Sequence, residues 1–243
     1  MGRLLALLYG AACYLLGFVT VLYAIGFVGN LVVPKSIDSG GQGSLGETLL
    51  INVVLLGIFA IQHSVMARPI FKRWWTRVVP PPVERSTYVL LTSLALILLF
   101  WQWRPMTGVA WNVESAGGRH VLWALFWIGW LTVFVSSFLI NHLDLFGLRQ
   151  VYLHMKGQEY SNLPFTKPLL YRLVRHPMML GFVVAFWAAP YMTLGHIVFS
   201  VATTAYILVA LQLEEGDLVT HLGAEYREYQ QQVPMILPIP KRK

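Results

Sequence analysis

Five blocks of apolar residues alternate with short polar segments along the chain. The first follows a single arginine, Arg3, and runs to Val33 with only Gly, Thr, Tyr and Asn among its apolar residues. It exceeds the roughly 7–15-residue apolar core of a signal peptide and reads as a first membrane helix. The second block covers about Thr48 to Met66, the third about Tyr88 to Trp103, and the fourth about His120 to Ile140. The fifth, Met178 to Leu213, has no formal charge over 36 residues. As one straight helix it would run roughly 54 Å against a hydrocarbon core of about 30 Å, so a single crossing cannot hold it. Pro190 and the segment Tyr191 to His196, with its glycine, mark a break that predicts two short antiparallel helices with both feet on one side. The pattern therefore predicts an all-α polytopic membrane protein of about six crossings. It forms one domain: residues 1–140 give four spans, and residues 141–243 give a polar loop, the hairpin and a tail helix.

The polar segments set the orientation. Residues 34–47 form a loop rich in Gly and Ser. After the second block come Arg68, Lys72, Arg73 and Arg77 with Trp74 and Trp75 among them and Pro80 to Pro82 behind, a composition suited to an anionic membrane surface. Trp101 and Trp103 mark the far end of the third span, and the loop from Arg104 to Arg119 is short. With the amino terminus inside, 15 of the 18 basic residues fall inside and only Lys35, Arg104 and Arg119 outside. This positive-inside asymmetry places both termini, the 67–87 segment and the feet of the hairpin on the cytosolic side. Gly17, Gly26 and Gly29 suit close packing by a neighbouring helix.

Composition agrees with that reading. Hydrophobic residues make up 56% and charged residues 12%, with mean hydropathy +0.60, which excludes a soluble globular or disordered chain. The net charge of +7 is explained by topology, so nucleic acid is not an expected partner. The single cysteine, Cys13, excludes a disulfide framework, and the chain shows no metal-ligand cluster. Membrane lipid is the expected surrounding, and no obligate protein partner is evident.

The feet of the hairpin carry chemistry. Pro177 suits the first position of a helix, where its missing N–H is not needed. The N–H groups of Met178, Met179 and Leu180 then meet the aqueous boundary at the positive end of the helix dipole, ready for a carboxylate or phosphate. Arg175 and His176 stand beside them, and Gly181 would let a ligand approach the backbone. Glu214 and Glu215 end the second helix. A basic foot facing an acidic one suits a zwitterion. Taken singly, each residue reads more readily as an interfacial anchor or a solvated carboxylate; the joint pattern favours a site.

Together they resemble the isoprenylcysteine carboxyl methyltransferase-like (NnrU-related) superfamily of integral membrane methyltransferases. The likeness rests on Arg175-His176-Pro177-Met178-Met179-Leu180-Gly181, Glu214-Glu215, Gly223 with Tyr226 and Tyr229, and Val233-Pro234. Met179 stands where that family has tyrosine. Upstream, Gln62 to Arg68, Trp74-Trp75-Thr76, Glu84 to Leu90 and Trp101-Gln102-Trp103 are similar to a bacterial thiol-methylating group within it. The resemblance implies S-adenosylmethionine as cofactor, held near Arg175, His176, Pro177, Met179, Gly181, Glu214 and Glu215. It also implies a small thiol as acceptor, methanethiol becoming dimethyl sulfide. Tyr226 and Tyr229, spaced i, i+3, share one helix face that suits either membrane packing or the adenosine end of the cofactor.

A thiol must lose its proton before attack, since at neutral pH most simple thiols are protonated. Candidate acceptors are His63, His142, His154, His176, Glu84 and Tyr88. His63 leads because it ends a span on the cytosolic side, within the segment most particular to the thiol group. Its alternative is a hydrogen-bonded helix-end histidine. Arg85 and Glu84 read as an ion pair or as catalytic neighbours, and Tyr88 as an anchor or a pocket wall. Two further classes stay open: methylation of another acceptor, such as an isoprenylcysteine carboxylate, and a membrane haem or electron-transfer protein with histidine ligands.

Overall fold

The computed structural model describes residues 2–41 and 43–239. Three basic residues counted above in the tail, Lys241, Arg242 and Lys243, lie outside the described residues. In chain order the elements are α1 (Arg3–Gly29), α2 (Leu45–Ala67), α3 (Pro69–Trp75), α4 (Pro81–Gln102), β1 (Val109–Asn112), α5 (Ala116–Ile140), α6 (His142–Leu145), α7 (Leu148–Met155), a 3-10 turn (Leu169–Arg172), α8 (Pro177–Trp187), β2 (Tyr191–Thr193), α9 (Leu194–Leu222) and α10 (Ala224–Gln232). Among the described residues, α1, α2, α4, α5 and α9 are long and apolar enough to cross a membrane. The fold is the expected polytopic all-α one with a tail helix. α8, apolar but 11 residues long, reaches about 16 Å, roughly half the hydrocarbon thickness.

The chain divides into two compact units, one of Met1–Thr107 with Asn141–Pro164 and the other of Gly108–Ile140 with Phe165–Lys243. In the first, α1 packs against α4 and α7. A side chain at Gly17 would collide with Val89 of α4, as the small-residue reading expects, whereas Gly26 makes room for the chain returning at Leu31 and Val33. Asn52, fully buried in α2, donates to the Arg104 carbonyl (2.8 Å) and accepts from the Arg104 N–H (2.9 Å), so its amide is satisfied within an apolar span. α4 begins seven residues before the expected Tyr88. Pro81 supplies the fixed φ of a first helical turn, so Glu84 and Arg85 belong to the helix and not to the loop before it.

In the second unit α5 and α8 cross with backbones nearly touching. A Cβ on Gly181 would sit 2.6 Å from the Gly129 carbonyl oxygen, and one on Gly129 2.7 Å from that of Gly181. The expected break at Pro190 is present, and α8 and α9 run antiparallel: the Phe186 carbonyl near the end of α8 accepts from Ser200 (2.7 Å), while His176 at its start meets Glu215. Beyond that expectation, the break carries a short strand. β2 pairs antiparallel with β1, Val109 opposite Thr193 and Asn112 opposite Tyr191. Leu194 N–H donates to Gly108, Val113 N–H to Pro190, and the Trp111 indole to Ala189. One expectation is corrected: Glu214 and Glu215 do not end α9, which continues to Leu222. Residues 216–222 hold no proline, the one glycine among them, Gly216, is tolerated inside the helix, and Gly223, with φ +63°, provides the stop.

Candidate active site

The polar centre of the second unit is Glu215, on α9 and 7% exposed. Arg175, also 7% exposed, grips its carboxylate from two nitrogens, Nε to Oε1 at 2.6 Å and Nη2 to Oε2 at 2.8 Å. That bidentate fork is the strong form of an ion pair. The other guanidinium nitrogen donates to the carbonyls of Val233 (2.5 Å) and Gln230 (3.2 Å). Gln230 donates to Oε2 (2.9 Å), His176 Nε2 lies 3.0 Å from Oε1, and the Tyr226 hydroxyl donates to Oε1 from 3.4 Å. Backbone bonds add to this, with Arg175 N–H donating to Pro234 and His176 N–H to Met235. The tail from Gln230 to Met235 is thereby strapped across the entrance to α8.

Several residues singled out from the sequence thus have definite places. Arg175 and Glu215 come together but bind each other, so their charges are already compensated. Pro177 is the first residue of α8, as expected. Met179 packs on the cluster of Ile207, Leu211 and Ile236. Gly181 serves the contact with α5 described above, and its missing side chain is filled by the Gly129 backbone. Glu214 is exposed, and its charge acts on Tyr171 and Tyr226. Tyr226 and Tyr229 do share a face, and that face is buried against Phe165, Leu218, Val219, Leu222 and Val233. Burial pushes the Tyr226 phenol above its ordinary pKa, with Glu215 adding to the shift, and it pushes Tyr229 up to about 12. Tyr229 donates to the Tyr171 carbonyl at 2.5 Å. Gln230 and the carbonyl of Val233 were not singled out individually; the Val233-Pro234 pair was the one signal pointing to this strap.

The N–H groups of Met178 and Met179 at the start of α8 lack acceptors one turn back, as at any helix start, whereas Leu180 N–H is not free as expected: it donates to the carbonyl of His176, the N-cap, at 3.1 Å. The site therefore combines free main-chain donors, an imidazole and an exposed carboxylate, Glu214. Among the described residues no group of three or more His, Cys, Asp or Glu side chains suits a metal.

The first unit holds a separate cluster. The Tyr88 hydroxyl lies 2.9 Å from the ring nitrogens of His63, whose Nδ1 is also 3.3 Å from the Thr92 hydroxyl, and Phe59 stacks on the imidazole. Arg85 lies over the Tyr88 ring, 4.9 Å from its centroid, and donates to the Leu145 carbonyl (2.8 Å). Glu84 and Arg85 form no ion pair; Glu84 Oε1 is buried without a hydrogen-bond partner, as are Gln62 Oε1 and Trp75 Nε1.

Comparison with known proteins adds the following. The family model described as NnrU protein matches residues 50–232. The chain is 59% identical to a protein named methanethiol S-methyltransferase from Mycobacterium tuberculosis, over 100% of this chain and 99% of that one. It is 54% identical to one of the same name from Crocosphaera subtropica, over 100% and 95%. It is also 29% identical to Nurim of Mus musculus, over 72% and 70%. No solved structure matches.

Proposed function

The chain belongs to the NnrU protein family, and from that footing we propose that it methylates methanethiol with S-adenosylmethionine, releasing dimethyl sulfide and S-adenosylhomocysteine. The observation that carries the reading is the buried Arg175–Glu215–His176 cluster at the start of α8, in a chain whose full-length relatives bear that enzyme name.

The donor set fits the cofactor. Main-chain N–H groups of Met178 and Met179, with the helix dipole behind them, suit its carboxylate, and the exposed carboxylate of Glu214 suits its ammonium. Arg175 and Glu215 position this machinery by locking the tail strap to the helix start. The cofactor supplies a methyl group on a sulfonium cation, and transfer to a thiolate turns two charged partners into two neutral ones. Surroundings poor in water favour such charge loss, because the charged reactants forgo hydration there that the neutral products do not need. The acceptor end needs no recognition of a large partner: a small lipophilic thiol reaches the site through membrane-embedded surroundings. The site faces the cytosol of a bacterial inner membrane, by the basic-residue asymmetry, and labelling of cysteines placed at Ser161 (inside) and Gly40 (outside) checks that orientation.

The decisive experiment uses the purified full chain. Calorimetry with S-adenosylhomocysteine should show saturable binding, weakened in Glu214→Gln by about 1–3 kcal/mol, the loss of one hydrogen bond to a charged group. Headspace chromatography should detect dimethyl sulfide from methanethiol. Methylation of a prenylcysteine without dimethyl sulfide would remove the acceptor assignment; no binding of the product nucleoside would remove the whole reading.

A further inference from the structure

We propose that His176 is the group that takes the proton from the thiol, held for this by Glu215. The proposal rests on the methyl-transfer reading above and deepens it.

A carboxylate gripped by a guanidinium fork can only accept hydrogen bonds, so the 3.0 Å contact between His176 Nε2 and Glu215 Oε1 places the imidazole proton on Nε2. In the neutral ring Nδ1 then carries the lone pair. Nδ1 has no hydrogen-bond partner among the described residues, although the side chain is only 9% exposed. A nearly buried base with one nitrogen fixed by a carboxylate and the other vacant is the arrangement in which the carboxylate sets the tautomer and stabilises the imidazolium once it forms. Here the carboxylate is itself oriented by Arg175 and Gln230. His63 and His142 face hydroxyl groups instead, those of Tyr88, Thr92 and Tyr14.

From α9 the ring faces Glu215, with exposed Glu214 next to it in sequence. From α10, Tyr226 and Gln230 reach the same carboxylate. Arg175 precedes it, its charge spent on Glu215, and α5, which packs along α8, carries no titratable side chain beyond Arg119 and His120 in its first turn. A proton arriving on Nδ1 therefore finds a carboxylate already hydrogen-bonded to the other nitrogen.

In the reaction the S–H bond of methanethiol breaks, its proton goes to Nδ1, and its electron pair stays on sulfur. That sulfur bonds to the methyl carbon as the carbon–sulfonium bond breaks, the pair passing to the departing sulfur. The proton then leaves Nδ1 for water, so the sum is one thioether, one S-adenosylhomocysteine and one proton.

The test joins spectroscopy of the protein alone with kinetics. Among the imidazole signals in nitrogen NMR of histidine-labelled wild type, one that reports a protonated Nε2 and a free Nδ1 should be missing from His176→Gln and present in single variants of the other histidines. That variant should bind S-adenosylhomocysteine within about threefold of wild type, yet turn over methanethiol roughly 10²–10⁴-fold more slowly at neutral pH, the span for a lost general base. The deficit should shrink as pH rises and the thiol ionises unaided, nearly vanish with an acidic aryl thiol, and be partly rescued in His176→Ala by added imidazole. A uniform deficit at every pH and with the aryl thiol overturns the proposal, as does a pH-selective loss in His63→Ala with His176→Gln unaffected. If wild type neither binds S-adenosylhomocysteine nor makes dimethyl sulfide, the functional reading fails; if it does both and the His176 variants show no pH selectivity, only this inference fails.

Discussion

Arg175→Met is the sharpest probe of what holds the tail strap. The substitution keeps much of the side-chain volume but removes the 2.6 and 2.8 Å bonds to Glu215 and the 2.5 Å bond to the Val233 carbonyl. Glu215 is left ionised, nearly buried, and dependent on His176, Gln230 and Tyr226. Breaking a buried pair from one side costs about 3–5 kcal/mol, because the remaining charge stays desolvated without compensation. Set against a whole-chain stability of about 5–15 kcal/mol, this is a large fraction. For a chain of this size it corresponds to a fall in apparent Tm on the order of 6–20 °C. Adding Glu215→Leu should recover part of the loss even though it deletes more hydrogen bonds, because no unpaired charge remains. Thermal unfolding in micelles gives the size of the effect, and limited proteolysis of residues 223–239 shows whether the strap is what lets go. If the double variant loses the sum of the two single losses, or Arg175→Met melts with wild type, the coupled-pair reasoning is refuted.

Two further outcomes follow from the same unit. Gly181→Ala would place its Cβ 2.6 Å from the Gly129 carbonyl oxygen where ordinary contact begins at 3.4 Å, so α5 and α8 must part by 0.8 Å. Overpacking of about 1–3 kcal/mol outweighs the roughly 1 kcal/mol that alanine gains over glycine in a helix, so the melting temperature should fall; Gly57→Ala, with open space around it, is the control, and equal melting of the two variants would refute the crossing. Tyr229, raised from 10.0 to about 12 by burial, favours the neutral phenol when folded. Its contribution is therefore whole below pH 10 and is lost as pH climbs toward 12. Tyr229→Phe should shift stability by a constant amount at lower pH, from the lost bond to Tyr171, and soften the alkaline decline; an unchanged alkaline slope counts against the burial argument.

What the sequence made legible follows from how local each signal is. The spans α1, α2, α4, α5 and α9 announce themselves by unbroken apolar runs, and Pro177 and Pro190 mark a helix start and a helix break by their own covalent geometry. The end of α9 was misplaced because two glutamates look like a boundary, although a helix tolerates them and Gly223 is the residue that stops it. The strands escaped notice because four and three residues of a sheet have no period to detect and exist only through pairing. At the site, Arg175, His176 and Glu215 were legible as chemistry but not as partners. Their contacts join residues about forty positions apart, and no local pattern says whether opposite charges face a ligand or each other.

The small sheet bears on how such a chain is assembled. A break between two apolar helices leaves main-chain N–H and C=O groups without helical partners, costly wherever water is scarce. Here the acceptors and donors that satisfy them lie in residues 108–113, and the Trp111 indole meets Ala189 across 78 positions of sequence. During synthesis from the amino terminus, that receiving edge is complete long before the turn at Pro190 leaves the ribosome. α8 and α9 thus arrive at a dock already built for their bend, and a lengthened turn would arrive with nothing cut to its measure.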